Sequence, residues 1–169
     1  CGGWLAMNAG TRLGSFCDAL LEADVLAPDG TLNTIKAADF GATYRSCAAV
    51  RGKVAVRVRL RLRKASPQAV RKAMDEALAH RLDLSGIRTA GSVFKNPGMP
   101  LPPAGMLLDK AGCKGLRVGG AYVTTQHANI IASEPEATAS DIYALMHMMR
   151  ERAMASSGVR LEPEVQIVN

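Results

Sequence analysis

Residues 53–64, KVAVRVRLRLRK, alternate between apolar and basic side chains and constrain the fold more than any other segment. Successive side chains of a β-strand point to opposite faces of its sheet, so this alternation predicts a strand. One face carries Val54, Val56, Val58, Leu60 and Leu62, and the other carries Arg57, Arg59, Arg61 and Arg63. The arginine face fits a solvated or carboxylate-paired sheet surface better than a phosphate site, and a covering helix is a further alternative.

Turn and capping residues predict the elements on either side of this strand. Pro fixes φ and Gly accepts positive φ, so Pro28-Asp29-Gly30 predicts the turn of a hairpin running from Leu26 to Ile35. Ser66 before Pro67 predicts the start of a helix. The apolar positions of that helix are Val70, Met74, Ala77, Leu78 and Leu82.

Helical patterns also occur in the second half of the chain. Residues 104–111 predict a short helix that ends at Gly112. Thr138 and Asp141 have the spacing of a capping box, and the helix that follows ends at Gly158. Its apolar positions are Ile142, Leu145, Met146, Met149 and Ala153.

A last strand is predicted over residues 159–168. Its two faces are Leu161, Val165 and Ile167 on one side and Glu162 and Glu164 on the other. Strands followed by alternating helices indicate the α+β fold class.

Composition excludes several classes of protein. The 169 residues are 48% hydrophobic and 21% charged, which is typical of one soluble globular domain or two small ones. No apolar run is long enough to span a membrane. The net charge of +6 would attract nucleic acid or a small anionic ligand, but only 4% of residues are aromatic, which counts against a base-stacking surface. Composition therefore predicts neither a membrane nor a nucleic-acid partner. We separately expect a cytoplasmic monomer.

The cysteines are Cys1, Cys17, Cys47 and Cys113. They are widely scattered and lack the spacing of a zinc site or a disulfide framework. We expect free thiols in a reducing compartment and no bound metal.

One segment concentrates polar chemistry. In Gly91–Pro97, GSVFKNP, a hydroxyl, a cation and an amide lie within five residues. If the segment is extended, Ser92, Phe94 and Asn96 share one face, and Lys95 joins them only if the backbone bends. By itself the segment fits a turn beside a strand as well as it fits a site.

Several motifs in order along the chain resemble the UDP-N-acetylenolpyruvoylglucosamine reductases, the MurB family. The resemblance covers nearly the whole chain, and GSVFKNP is its most specific motif. The matching motifs are Gly2-Gly3 through Met7-Asn8-Ala9-Gly10, Asp29-Gly30, Tyr44-Arg45, Ala90–Pro97, Ala111-Gly112-Cys113-Lys114-Gly115, Gly119-Gly120-Ala121, His127-Ala128-Asn129 and Leu161–Val165.

The resemblance implies an FAD enzyme that uses NADPH to reduce an enolpyruvyl ether. The reaction converts UDP-N-acetylglucosamine enolpyruvate to UDP-N-acetylmuramate in peptidoglycan synthesis, which supports cell-wall biogenesis, cell shape and division. By family pattern Ser92 matches the proton donor, and Arg45 and Glu164 match the other two active-site positions.

The family pattern also implies ligand contacts. Gly2, Gly3, Asn8 and Gly10, together with Arg45, resemble the flavin side of the site. For the diphosphate and sugar of the substrate, the candidates are Lys95, Asn96 and Asn129, although Lys95 could equally pair with a surface carboxylate.

The resemblance also predicts the domain organisation. Residues 1–64 would form the C-terminal half of a PCMH-type FAD-binding domain, and residues 65–169 an α+β substrate-binding domain whose final strand returns to the active site. The part of the FAD-binding domain that precedes residue 1 in the family is expected to lie outside this chain. The alternative is a truncated, non-catalytic module that binds a UDP-sugar without flavin.

Overall fold

The computed structural model describes residues 1–11, 13–79 and 83–168. The chain divides into two compact units, residues 1–81 and residues 82–169. Both units combine helices with antiparallel strands, which confirms the predicted α+β class. The predicted functional division, 1–64 and 65–169, remains a proposal.

The first unit is built on a three-stranded antiparallel sheet, in which the strand Leu20–Leu26 lies between Leu32–Lys36 and Val54–Leu60. Short 3₁₀ turns cover Phe16–Ala19, Ala37–Asp39 and Ala48–Val50. Its helices and strands are α1 (Gly2–Ala6), β1 (Gly10–Thr11), β2 (Gly14–Ser15), β3 (Leu20–Leu26), β4 (Leu32–Lys36), β5 (Ala42–Thr43), β6 (Ser46–Cys47), β7 (Val54–Leu60) and α2 (Pro67–Ala79).

The predicted hairpin is confirmed in β3 and β4. Leu26 pairs with Leu32, and the turn between them closes with a hydrogen bond of 2.9 Å from the Ala27 N–H to the Thr31 carbonyl. Gly30 has a φ of 85°, which glycine adopts without steric cost.

Strand β7 forms, but its predicted apolar face is only partly correct. Asp24 pairs with Arg57 and Val25 pairs with Ala55, so Val56 is an extra residue in the ladder. Such a bulge exchanges the two faces of the strand beyond it. Val58 and Leu60 pack against the core, whereas Val54 and Val56 are 61% and 59% exposed.

The arginine face is paired in part with carboxylates, as expected. Arg57 lies 2.7 Å from Asp24 and Arg59 lies 3.0 Å from Glu22. Because these partners come from the adjacent strand β3, the positive charge of β7 is partly neutralised within its own sheet.

Helix α2 begins as predicted. The Ser66 Oγ accepts a hydrogen bond of 3.2 Å from the Ala69 N–H at the start of the helix. Val70, Met74 and Leu78, the predicted apolar stripe, are 47%, 55% and 58% exposed. The last predicted stripe residue, Leu82, lies outside the described residues.

The second unit is a four-stranded antiparallel sheet with two helices packed on it. From one edge to the other, the strands are Thr89–Ser92, Ile130–Ser133, Ala121–Val123 and Arg117–Val118. The predicted short helix forms over Ala104–Lys110. The elements are β8 (Thr89–Ser92), α3 (Ala104–Lys110), β9 (Arg117–Val118), β10 (Ala121–Val123), β11 (Ile130–Ser133) and α4 (Ala139–Ser157).

Helix α4 has the predicted capping box. The Asp141 N–H donates to the Thr138 Oγ1 at 3.1 Å, and the Thr138 N–H donates to the Asp141 Oδ2 at 2.9 Å. Gly158 ends the helix with a φ of 70°. Leu145 and Met149 of α4 are fully buried, as their helical spacing predicts.

The predicted last strand is wrong. Residues 159–168 form a single bridge, between Pro163 and Phe94, and no ladder. Proline has no N–H to donate to a ladder, so a regular strand cannot continue through Pro163. Leu161 is nevertheless buried at 2% exposure, whereas Ile167 is 57% exposed.

Among the described residues, no helix combines the length and the apolar composition needed to cross a membrane.

Candidate active site

The GSVFKNP segment begins as a strand and then bends. Strand β8 ends at Ser92, which pairs with Ile130 of β11, and the chain bends at Val93. Val93 and Phe94 are both buried, with 3% and 2% exposure. The segment is therefore not extended, and Phe94 packs into the core instead of sharing one face with Ser92 and Asn96.

Asn129 holds the bent segment from one side. The Val93 N–H donates to the Asn129 carbonyl at 2.9 Å. The Phe94 N–H donates to the Asn129 Oδ1 at 3.0 Å, and the Asn129 Nδ2 donates to the Phe94 carbonyl at 2.8 Å. The side chain assigned to substrate by the family pattern is therefore turned toward the main chain of Phe94.

The C-terminal segment holds the same bend from the other side. The Glu164 N–H donates to the Val93 carbonyl at 2.7 Å, and the Lys95 N–H donates to the Glu162 carbonyl at 2.9 Å. The second unit thus brings the main chain of Glu164 next to the residue that follows Ser92.

A cavity of about 310 Å³ opens beside this bend. Three of the predicted site residues, Ser92, Asn96 and Asn129, line it. The other lining residues are Pro103, Gly105, Met106, Asp109, Lys114, Gln126, His127 and Ala128. The structure therefore groups part of the predicted site in the second unit.

The other lysine and amide candidates also have structural partners. The Asn96 Oδ1 accepts a hydrogen bond of 2.9 Å from the Ala104 N–H, at the first residue of α3. The Lys95 Nζ lies 3.6 Å from the Glu162 carboxylate, the surface pairing that the sequence left open. Asn96 thereby connects the motif to helix α3.

The sequence reasoning did not assign a role to several cavity residues. The His127 ring lies directly on Gly105, where an added Cβ would come within 2.7 Å of the ring Cε1. The His127 Nδ1 accepts the Asn129 N–H at 3.2 Å, so in the neutral ring the proton is on Nε2. Lys114 pairs with Asp109 at 2.8 Å at the cavity wall. The sequence did contain a signal for His127 and Lys114, because both belong to motifs that match the family, His127-Ala128-Asn129 and Lys114-Gly115.

Arg45 lies in the first unit, at the tip of the β5–β6 hairpin. Thr43 pairs with Ser46, which leaves Tyr44 and Arg45 as the two loop residues. Arg45 has a φ of 55°, an uncommon conformation for a residue with a side chain, and its guanidinium lies 5.0 Å from the centre of the Tyr44 ring.

The flavin-side candidates are also in the first unit. Gly2 and Gly3 lie in the short helix α1. Outside the helix's own backbone and the chain neighbours, no atom of a described residue comes within 4 Å of a Cβ added to Gly3, and the Ala55 carbonyl lies 4.0 Å from one added to Gly2. Gly10 is in β1. The open space over the two helical glycines fits the close approach of a flat ring.

Asn8 has internal partners. Its Nδ2 donates to the Thr43 carbonyl at 3.2 Å, and its Oδ1 accepts the Cys17 N–H at 3.1 Å. Asn8 therefore connects the chain after α1 to the hairpin that carries Arg45.

Desolvation disfavours the thiolate form of Cys17, Cys47 and Cys113. Burial, followed by the neighbouring Cys47, raises the pKa of Cys17 to about 11. Burial also raises the pKa of Cys47 and of Cys113. The Cys47 thiol donates to the Phe40 carbonyl at 3.5 Å.

The comparisons with known proteins agree with these motifs. Residues 82–168 match the family described as UDP-N-acetylenolpyruvoylglucosamine reductase, C-terminal domain. A UDP-N-acetylenolpyruvoylglucosamine reductase of Bradyrhizobium sp. (strain ORS 278) is 41% identical over 167 residues, which are 98% of this chain and 54% of that protein. The reductase of the same name from Deinococcus radiodurans is 40% identical over 166 residues, with 98% and 55% covered.

A solved structure is similar along the same length. The crystal structure of UDP-N-acetylenolpyruvylglucosamine reductase (MurB) from Thermus caldophilus superposes with a TM-score of 0.83 at 34% identity, covering 98% of this chain and 59% of that one. The chain spans about half the length of the curated relatives that it matches. It belongs to the UDP-N-acetylenolpyruvoylglucosamine reductase family, and residues 82–168 are the family's C-terminal domain.

Proposed function

We propose that the protein containing this chain reduces UDP-N-acetylglucosamine enolpyruvate to UDP-N-acetylmuramate, with FAD as cofactor and NADPH as electron donor. The observation that carries the proposal is the second unit's cavity of about 310 Å³, which Ser92, Asn96 and Asn129 line together. The family membership supports the reaction class, an oxidoreductase of peptidoglycan synthesis. The proposal includes a cytoplasmic monomer with no nucleic-acid partner.

Ser92 is the proposed proton donor. When bound, reduced FAD supplies hydride to the enolpyruvyl double bond, and the substrate then carries enolate-like charge on the adjacent carbon. A serine hydroxyl is a weak acid, so it can donate a proton only to such a strongly basic carbon. Its position at the end of β8, before the bend at Val93, favours this role because pairing with Ile130 of β11 fixes the backbone there.

Arg45 and Glu164 are proposed to stabilise the charge that develops on the substrate carboxylate. A guanidinium has the planar pair of donors that a carboxylate accepts, and a preorganised positive charge stabilises a growing negative one. Arg45 has a left-handed backbone conformation at the tip of a hairpin. Such uncommon conformations are concentrated at functional sites, which supports a role for Arg45 in the reaction. Glu164 is proposed to form a hydrogen bond to the same oxygen atoms.

The flavin and the UDP moiety have proposed partners in different units. Gly2 and Gly3 would offer exposed backbone to the flavin, together with the half-buried Gly10. In the second unit, Asn96, with Lys95 nearby, would contact the diphosphate and sugar. Helix α1 fits a flavin because Gly2 and Gly3 leave open space where a side chain would otherwise stand.

The experiment is a turnover assay of the longer protein that contains this chain. Purified protein is supplied with NADPH and the enolpyruvyl substrate, and NADPH consumption is measured for wild type, Ser92→Ala and Ser156→Ala. Ser156 is exposed on α4, so it controls for the loss of a serine hydroxyl. We expect Ser92→Ala to lose about 100-fold or more in kcat and Ser156→Ala to match wild type. Equal turnover by all three proteins would remove Ser92 from the mechanism.

A second candidate is a UDP-sugar-binding module without flavin. It is favoured by the location of the cavity, which is lined entirely by residues of the second unit. Calorimetric titration of this chain with UDP and an absorbance spectrum distinguish the two functions. The module would be favoured if this chain binds UDP and the longer protein shows no flavin absorbance.

A further inference from the structure

The bend at Val93 creates a hydrogen-bonding problem at Phe94. In a regular strand, consecutive N–H groups point to opposite sides, yet the N–H groups of Val93 and Phe94 both donate to Asn129. The main chain has therefore left the ladder geometry immediately after Ser92. Phe94 is 2% exposed, so its N–H and carbonyl need partners within the protein.

The Asn129 side chain provides both partners. Its Oδ1 accepts from the Phe94 N–H at 3.0 Å, and its Nδ2 donates to the Phe94 carbonyl at 2.8 Å. This reciprocal pair reproduces what a neighbouring strand residue would offer. Only a carboxamide can form both hydrogen bonds at once. A carboxylate has no donor for the Phe94 carbonyl, and a hydroxyl would have to donate and accept from one oxygen at two separate positions.

Asn129 is itself held in place. Its side chain and backbone are 3% exposed, and its N–H donates to the His127 Nδ1 at 3.2 Å. The turn before it is closed by Thr124, whose Oγ1 donates to the His127 carbonyl at 3.0 Å and accepts the His127 N–H at 3.1 Å. The carboxamide is therefore presented by a rigid turn.

We infer that Asn129 is a positioning residue that fixes Ser92 relative to Glu164. Ser92 precedes the bent segment, and Glu164 is attached to it through the hydrogen bond of 2.7 Å from its N–H to the Val93 carbonyl. The inference rests on the proposed function, in which these two residues act on one substrate. It differs from the role that the family pattern implies for Asn129, which is direct contact with the substrate.

The experiment compares Asn129→Ala and Asn129→Asp with the same changes at Asn33. Asn33 is an exposed residue of β4, so its variants control for the chemistry of the substitution. Asn129→Asp keeps the shape and the acceptor but removes the donor to the Phe94 carbonyl, and it provides a second variant if Asn129→Ala does not fold.

The first measurement uses this chain and needs no activity. Hydrogen–deuterium exchange is followed at the amides of Phe94 and Glu164, with the amides of α4 as an internal reference. We expect exchange at Phe94 and Glu164 to accelerate about tenfold or more in the Asn129 variants and to stay unchanged in α4 and in the Asn33 variants. Unchanged exchange at Phe94 and Glu164 would overturn the inference, whether or not the proposed reaction occurs.

The second measurement is steady-state kinetics in the longer protein. A displaced proton donor lowers kcat, so we expect kcat to fall about 10- to 100-fold with an unchanged KM for the enolpyruvyl substrate. A raised KM with a wild-type kcat would identify Asn129 as a substrate contact, and a wild-type kcat with only a lowered melting temperature would identify a purely structural role; each overturns the inference. Absence of turnover in wild type would refute the proposed function instead and leave the exchange result as the test.

Discussion

The two units differ in how completely they bury their apolar residues. In the described part of the second unit, the buried core comprises fifteen residues contributed by α3, α4, the sheet and the C-terminal segment. The corresponding cluster in the described part of the first unit comprises seven. Both units contain sheets and helices with clear apolar patterns. The units therefore differ in how many of those apolar side chains are packed into a core, and not in the patterns themselves.

Helix α2 and strand β7 carry apolar side chains that the first unit leaves exposed. Met74 and Leu78 of α2 are 55% and 58% exposed, and Val54 and Val56 of β7 are 61% and 59% exposed. By contrast, Leu108 of α3 is fully buried. An amphipathic helix derives most of its stability from burying its apolar face, so α2 gains little from its pattern here. We therefore expect the second unit to be stable alone and the first to need additional polypeptide.

The largest expected effect comes from separating the units. We expect residues 82–169 to unfold in one cooperative thermal transition and residues 1–81 to show none, because only the former bury an extensive core. Circular dichroism melts of the two fragments provide the measurement. A cooperative transition in residues 1–81 alone would break the comparison.

The next effect compares two helical leucines. Leu108→Ala leaves a cavity in the second core, so we expect it to cost about 2–5 kcal/mol in the free energy of unfolding. Leu78→Ala removes an exposed side chain of α2, and we expect a change within about 0.5 kcal/mol. Denaturant unfolding of the whole chain measures both. Similar costs at the two positions would show that α2 is packed as well as α3.

A smaller effect compares two helix caps. Thr138→Ala removes the cap of α4, which packs against the core, and should cost about 1 kcal/mol. Ser66→Ala removes the cap of α2, and we expect no change in the main unfolding transition because α2 packs against little. Thermal melts of the two variants are the measurement, and an equal loss at Ser66 would contradict this account.

The smallest effect is a pH dependence at Asp141. The main-chain and side-chain hydrogen bonds of Thr138 hold the pKa of this carboxyl below its ordinary value of 3.8. The folded state therefore favours the ionised form, so the stabilisation is full above that value and is lost as the pH falls through the folded pKa. Melting temperatures of wild type and Asp141→Asn, measured from pH 7 downward, should converge in this acid range. A gap between them that stays constant as the pH falls would exclude the capping carboxylate as its source.

Local signals predicted much of the fold. The turn at Gly30, the cap at Ser66 and the capping box of Thr138 and Asp141 each depend on residues within a few positions of one another. Their geometry is decided by the backbone and side-chain chemistry of one short segment. Such features can be read from a sequence because no distant partner is needed.

Errors arose where a distant partner decides the conformation. The bulge at Val56 depends on the register against β3, and the bend at Val93 depends on hydrogen bonds from Asn129, 35 positions from Phe94. Pro163 is a local feature that disfavours a regular strand, and the prediction from alternation over residues 159–168 did not take it into account. Ser92 and Asn96 of the motif line a cavity, and Gly105 and His127 join them there only through packing.

The most direct test of the central claim, that Ser92 protonates the reduced substrate, is a stopped-flow measurement of the two half-reactions in the longer protein. Flavin absorbance is followed first during reduction by NADPH and then during reoxidation by the enolpyruvyl substrate, in wild type and in Ser92→Ala. We predict that reduction keeps its wild-type rate and that reoxidation slows about 100-fold or more. Reoxidation of Ser92→Ala at the wild-type rate would contradict the claim.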